Sequence, residues 1–361
     1  MYGIELNNVR RDANFNTKIN KNSKAVEIFS AIIKGEDTTK YGKNVDTVMK
    51  HIADLSSKAD AGDGLAKAEI NSYVRIALES PLQTRIDLFD FMGKFTKVGY
   101  ADQVMLTKYK HTTRSGFQAS QGDVPLSTVQ WEESPMATQT ISGGFAINYR
   151  ELLSGNLNKV SEGIEQVKTD MHNKAMNYVL TTLYNEVKNH TGVKYFAETD
   201  GILKESVDDV LTKVRRNGRP SIVGDYSVVS QVNGFNGFGQ NAPKNFSDAA
   251  LEEIRQAGFL GMYGGAPVQE LPNQYDRTTL NSAGDNYTTL LPEGLMYVIP
   301  KNSGMISPLQ VVQRGDLTSA TGFHVENGEE VTRFDLEIGS GIAQPDAIGI
   351  ISDTNFDAPQ A

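Results

Sequence analysis

The chain contains no cysteine and a single tryptophan, Trp131. Without thiols there is no disulfide, no thiolate metal site and no cysteine nucleophile. Long apolar runs are also missing. None approaches the ~18 residues that a membrane-spanning helix needs, and Leu295 to Ile299 is typical of the longest. Residues 1–15 carry Glu5 and Asp12 and have no apolar centre, so they do not read as a secretory signal. Basic charge is scarce: Lys and Arg total 35 against 44 Asp and Glu, a formal charge of -9. General affinity for nucleic acid or anionic membranes is therefore not expected, because phosphate binding needs a cationic surface. Five scattered histidines (His51, His111, His172, His190, His324) form no His-x-x-x-His pair, so no zinc site is expected. Neither a Gly-Lys-Ser/Thr phosphate loop nor a Gly-x-Ser-x-Gly elbow occurs, and nothing calls for a cofactor.

What is present organises 361 residues into a prior of two to three domains, at about 150 residues each. The first hundred residues read as short helices. Ser23 is placed to cap one carrying Val26, Ile28, Phe29, Ile32 and Ile33; Asn44 is placed to cap another with Val45, Val48, Met49, Ile52 and Leu55. A third spans about Leu65 to Glu79, before Pro81. Their modest apolar content predicts an arm packed on another surface. From Val98 to Tyr149 the period changes to two, with Val104, Leu106 and Lys108 on one strand and Ile141, Phe145, Ile147 and Tyr149 on a returning one. The polar stretch between them exceeds the ~15 residues usual for a loop. Such a two-stranded ribbon is marginal alone and predicts support from another surface, a neighbouring subunit being one candidate. Leu157, Val160, Ile164, Val167, Met171, Ala175, Tyr178, Val179 and Leu183 then mark one long helix, roughly Gly155 to Asn189. Beyond Gly192 the pattern is mixed. A helix is predicted from a capping box at Ser206 to Asp209, and short strands at Ser221 to Val223 and Tyr226 to Val229. A further helix is predicted from Ser247 to Ile254. Strand candidates follow at Ala266 to Leu271, Gly294 to Ile299, Met305 to Val312, Phe323 to Val325, Arg333 to Ile338 and Ala347 to Ile351.

Few side chains suggest chemistry. Asp60, Asp63, Gly64 and Glu69 miss the calcium-loop spacing by one residue and read as an acidic helix start. Gly234 to Gly239 lacks the strand-then-helix order of a dinucleotide site and reads as an aromatic-tipped loop. Lys213, Arg215, Arg216 and Arg219 fit the C-terminal turn of a helix, where bases complement the dipole; Arg215 and Arg216 are also candidates for an intersubunit ion pair. Arg114, Phe117 and Trp131 lie on the ribbon. Large apolar residues there predict an intersubunit contact or, equally, a locally packed loop tip.

The order of arm, ribbon, long helix, mixed domain and returning strands resembles the major capsid proteins of tailed double-stranded DNA bacteriophages, with the Hong Kong 97-type α+β fold. The segment Ile141-Ser-Gly-Gly-Phe-Ala-Ile-Asn-Tyr-Arg-Glu-Leu-Leu153 is similar to the family's extended-loop return into the spine helix. Ala257-Gly-Phe-Leu-Gly-Met-Tyr-Gly-Gly-Ala-Pro-Val268 is similar to an apical-domain segment. Gln344-Pro-Asp-Ala-Ile-Gly-Ile350 is similar to the terminal peripheral-domain strand.

This resemblance implies an arm over 1–97 and an extended loop over 98–149. It further implies a peripheral domain over 150–199 and 321–361, and an apical domain over 200–320. It implies no enzyme but a structural subunit that self-assembles into the pentamers and hexamers of an icosahedral head around double-stranded DNA, without sequence-specific binding. A separate scaffolding protein and a portal protein are the further expected partners, with the N-terminal helices retained and no membrane contact. The place of action would be the virion capsid, after synthesis in the host bacterial cytoplasm. A lining without basic excess would let DNA slide past. Some members crosslink a loop lysine to a neighbour's asparagine; Lys108 or Lys110 with Asn327 would be the pair, though non-covalent contacts are favoured. Two alternatives stand beside this: an encapsulin-type nanocompartment shell, which shares the fold, and an acid/base enzyme using carboxylates in 200–320.

Overall fold

The computed structural model describes residues 9–11, 17–19, 24–33, 36–74, 93–110, 117, 130–147, 158–235, 254, 256, 258–301, 307–324, 329–357 and 359. The chain divides into two compact units. One comprises residues 1–87, 140–172 and 315–337; the other comprises 88–139, 173–314 and 338–361.

In the first unit, β1 (Val9–Arg11) and β2 (Thr17–Ile19) form an antiparallel pair. Helices Lys24–Ile33 and Asn44–Asp60 and the helical residues 64–74 follow. Pro81 and the end expected for the third helix lie outside the described residues. The sequence predicts an arm resting on something else, whereas these helices supply a core for one another. Val26, Ile28, Phe29, Val48, Ile52, Ile70 and Tyr73 are all buried. The Phe29 and Tyr73 rings meet at 5.3 Å, and the Tyr41 hydroxyl donates to Glu27 at 2.8 Å. Three narrow stripes, each too weak alone, close on one another. Asn44 is the first helical residue rather than the cap, a place taken by Lys43. Asp63 accepts from the Leu65 N–H at 2.9 Å, which makes the acidic segment a helix start.

The remaining strands in chain order are β3 (Lys94–Val98), β4 (Met105–Lys110), β5 (Gln130–Pro135), β6 (Thr138–Ile147) and β7 (Tyr195–Thr199). Then come β8 (Arg219–Gly224), β9 (Met262–Tyr263), β10 (Ala266–Glu270), β11 (Tyr275–Leu280) and β12 (Tyr287–Thr289). The last are β13 (Leu295–Lys301), β14 (Leu309–His324), β15 (Glu329–Ile342) and β16 (Gly349–Asp353). Strands β3, β14, β15 and β6 form a four-stranded sheet in that order. The long helix runs Asn158–Asn189, 32 residues or roughly 48 Å at 1.5 Å per residue.

The second unit is built on a six-stranded sheet ordered β7-β16-β13-β8-β10-β9. Alternation along the strands sorts its faces. Ile222, Val268, Met296, Val298 and Ile351 pack with Val207, Val210, Leu211 and Val214 of helix Lys204–Val214. Tyr297 points the other way, its hydroxyl donating to the Leu180 carbonyl of the long helix at 3.5 Å. The sheet is therefore sandwiched between helices. Gly349 has no side chain where Val210 approaches it, and a Cβ there would collide.

Two local expectations give way. Helix Lys204–Val214 starts before Ser206, with Leu203 as its cap, so Asp208 and Asp209 lie inside it. There Asp209 pairs with Lys213, and Asp208 accepts from the Tyr263 hydroxyl at 2.7 Å. Tyr226–Val229 is a helical turn rather than a strand, because the Asp225 carboxylate accepts from the Ser227 N–H at 2.8 Å and caps it.

Strands β7, β8, β10 and β16 run one way and β13 and β9 the other. One end of the sheet thus holds Thr199, Gly224, Glu270, Leu295 and Asp353. The opposite end holds Tyr195, Arg219, Ala266, Lys301 and Gly349.

Candidate functional site

Two exposed ribbons and one basic helix end are the surfaces that matter. The first ribbon pairs β4 with β5, placing Lys108 opposite Glu132 and Tyr109 opposite Trp131. The sequence places the return strand at 141–149; the structure places it at Gln130–Pro135. Strand β6 instead joins the four-stranded sheet. There Gly143 lets the long helix come close, since a Cβ would lie 3.1 Å from both Val167 and Met171.

The root of the β4–β5 ribbon is apolar. Val104 and Leu106 are buried, and the Met136 N–H donates to the Val104 carbonyl at 3.0 Å. Gly339 and Gly341 of β15 leave room for Met136 and Leu106. A Cβ on Gly341 would sit 3.0 Å from Met136 Cε and 3.2 Å from Leu106 Cδ1. Gln310 donates its amide to the Thr107 carbonyl at 3.1 Å, a side chain standing in for a strand neighbour. Outward along the ribbon, Trp131 is 67% exposed and Phe117 fully so. Arg114 lies outside the described residues.

The basic cluster sits where helix Lys204–Val214 ends. Arg215 donates to the Gly264 carbonyl, reached because Gly264 and Gly265 turn with φ of 56° and 78°. The side chains of Arg216 and Arg219 are exposed and make no hydrogen bond or ion pair among the described residues. Nor does any such bond join Arg215 or Arg216 to Phe117 or Trp131 there.

The second ribbon, β11–β12, is one that sequence reasoning missed. Leu280 stands opposite Tyr287, and Tyr275, Leu280 and Tyr287 are 54%, 57% and 46% exposed. Its root is polar. The Asn273 amide donates to Asp225 at 2.7 Å and to the Leu291 carbonyl at 3.1 Å, and its oxygen accepts from the Leu291 N–H at 3.0 Å. Asn177 reaches the Leu290 carbonyl at 3.0 Å; at the other end, in the hairpin turn, Ser282 donates its hydroxyl to Asp357 at 2.8 Å. The signal available was the turn chemistry of Asn281 to Asn286 around Gly284, whose φ is 72°.

Acids gather at the same end of the sheet. Burial works against ionisation of Asp353, yet the Asn355 N–H, the Gln231 amide, the Gly201 N–H and the Asn355 side chain together hold its carboxyl below the usual range. Burial, and next the Asp225 carboxylate, push Glu293 upward. Hydrogen bonds from the Thr278 hydroxyl and N–H, then from Thr279, keep exposed Asp276 low. Among the described residues no group of three His, Asp or Glu side chains is placed to hold a metal ion. Among those residues no helix is long and apolar enough to cross a membrane.

Comparison with known proteins adds the family. No curated protein sequence matches the chain. Solved structures from Microbacterium phage Oxtober96 and Gordonia phage Cozz are similar to it at TM-scores of 0.48 and 0.47 and 12% identity. Each of these likenesses covers 73% of this chain, with 89% and 85% of the other chain. A virus-like particle from Pyrococcus furiosus is similar at a TM-score of 0.40 and 14% identity, over 76% of this chain and 98% of that one. The family described as "SPbeta prophage-derived putative capsid protein YonB" matches residues 5–352. That match spans nearly every element described above, and the chain belongs to this prophage capsid protein family.

Proposed function

We propose that this chain is the major subunit of a phage head, arranged in the Hong Kong 97 manner and assembled as pentamers and hexamers. A capsid protein is a structural protein and not an enzyme, so the exposed surfaces rather than a catalytic cleft carry its function. The observation that carries the reading is the family match over residues 5–352. The β4–β5 ribbon supports it: a two-stranded element is marginal in water, and a neighbouring subunit would cover its exposed Trp131.

In this reading residues 98–149 are the extended loop, and Arg114, Phe117 and Trp131 contact the next subunit. Residues 150–199 and 321–361 form the peripheral domain, 200–320 the apical domain and 1–97 the arm. A separate scaffolding protein guides closure, a portal protein occupies one vertex, and double-stranded DNA is held without sequence recognition. The subunit is made in the bacterial cytoplasm and resides in the virion.

Negative-stain microscopy of the purified chain, alone and with a candidate scaffolding protein, tests this. Closed shells or rings are expected. Trp131→Ala should leave the melting temperature within about 2 °C, since surface changes stay near ±0.5 kcal/mol, while lowering the yield of shells. A uniform monomer under both conditions rejects the capsid reading. Particles filled with protein cargo instead of DNA would make it a nanocompartment.

A further inference from the structure

The six-stranded sheet is electrically lopsided. Where β8, β10 and β16 finish lie Asp225, Glu270 and Asp353, followed by the β11–β12 hairpin with Asp276 and Asp285 and a single base, Arg277. Where β7 and β8 begin lie Lys194, Arg215, Arg216 and Arg219, with Asp346 as an acid just before β16. Asp276 and Asp353 are held ionised by their hydrogen bonds, and Arg216 and Arg219 are open to solvent. Apolar exposure follows the same axis. The acidic end projects Tyr275, Leu280 and Tyr287, and the basic end exposes Met262 on β9, beside the turn that receives Arg215.

Hydrogen bonds hold the β11–β12 hairpin in place at both ends, yet its apolar side chains stay exposed. Tyrosines and leucines offered to water in this way are the material of an interface, covered when a partner arrives. We propose that the β11–β12 hairpin of one copy docks on the basic end of the next copy. Leu280 and Tyr287 then cover Met262, and Asp276 and Asp285 face Arg216 and Arg219. The occupant is a second copy of this chain because the complementary charges lie at opposite ends of one rigid sheet, the arrangement that a head-to-tail contact uses. Repeated with the right rotation, such a contact closes a ring. Its charges set register and partner choice more than raw affinity. The biological purpose rests on the capsid reading, whereas the contact itself does not.

Sedimentation velocity on the full chain in about 0.1 M salt, beside negative-stain microscopy, tests it with three variants. Arg216→Glu with Arg219→Glu should lower the assembled fraction roughly tenfold without moving the melting temperature. Leu280→Ser with Tyr287→Ser should do the same from the other side. Adding Asp276→Lys and Asp285→Lys to the arginine variant should restore assembly. If the hairpin variants melt early, the arginine pair, on exposed positions between the helix end and the start of β8, decides. Assembly unchanged by the arginine pair, or not restored by the swap, overturns the contact, while shells in the wild type leave the capsid reading standing. Head-to-tail oligomers that obey the swap but never close keep the contact and reject the capsid. A wild type that stays monomeric overturns the contact, and one that stays monomeric with a scaffolding protein as well overturns both.

Discussion

The two exposed ribbons meet one physical problem with different chemistry. Two strands bury too little apolar surface to stand alone, so each depends on its root. The β4–β5 ribbon is rooted by apolar contact, with Leu106 and Met136 lying over Gly339 and Gly341. The β11–β12 ribbon is rooted by hydrogen bonds from Asn273 and Asn177, and its tip is tied by Ser282 to Asp357. Apolar contact is non-directional and tolerates small slides; hydrogen bonds weaken steeply when bent. A small slide at the first ribbon's base therefore costs it little of this contact. The second is fixed in angle.

Three changes test that contrast, beginning with the largest. Asn273→Ala removes three hydrogen bonds and strands one oxygen of Asp225 and the Leu291 N–H, while the Leu291 carbonyl keeps the Thr289 hydroxyl. The expected loss is about 3 kcal/mol, at about 1 kcal/mol or more per buried bond, read from the urea midpoint. A loss below about 1 kcal/mol would remove the distinction between the roots. Gly341→Val forces a side chain against Met136 and Leu106. Overpacking of that kind costs about 2 kcal/mol and should open 105–135 to protease, with the β11–β12 hairpin still protected. If both ribbons are cut together, the roots are not independent.

The smallest effect is one of pH, read at the polar end. Asp353 has its folded pKa lowered, so its contribution is complete above the ordinary aspartate value of about 4 and is lost as pH falls through the lower folded value. Glu293 works in the opposite sense. Its folded pKa is raised, so protonation on acidification relieves a buried charge just above the ordinary glutamate range. Urea unfolding across pH should show a shallow gain, then an acid limb that Asp353→Asn makes shallower, with Asp276 and Asp335 supplying the rest. An unchanged acid limb in that variant assigns it elsewhere.

How much of this was legible depended on what each segment buries. The long helix announced itself because 32 residues with one apolar stripe leave little ambiguity of period. The ribbon's existence was readable from the long polar stretch, but its return strand was not. Gln130–Pro135 shows no alternation because neither of its faces enters a core, whereas β6 buries Ile141 and reads clearly as a strand. Tyr226–Val229 has strand-like residues, and a single cap at Asp225 outweighed them. The second ribbon was hidden by its own polarity, since Asp276, Arg277 and the threonines of β11 look like loop. Of the basic cluster, the sequence anticipated the helix-end role of Lys213 but not the Gly264 carbonyl that engages Arg215.

The separation of charge along the sheet has one further consequence, for how a subunit is felt at a distance. Strand β8 has six residues, about 20 Å from basic to acidic end. The screening length in physiological salt is about 8 Å. An approaching molecule therefore senses whichever pole is nearer and is blind to the other, so the subunit behaves as two independent charges and not as one dipole. Orientation cannot be corrected from afar. It is sampled by short encounters, which keeps wrong approaches brief and reversible until the matching ends touch.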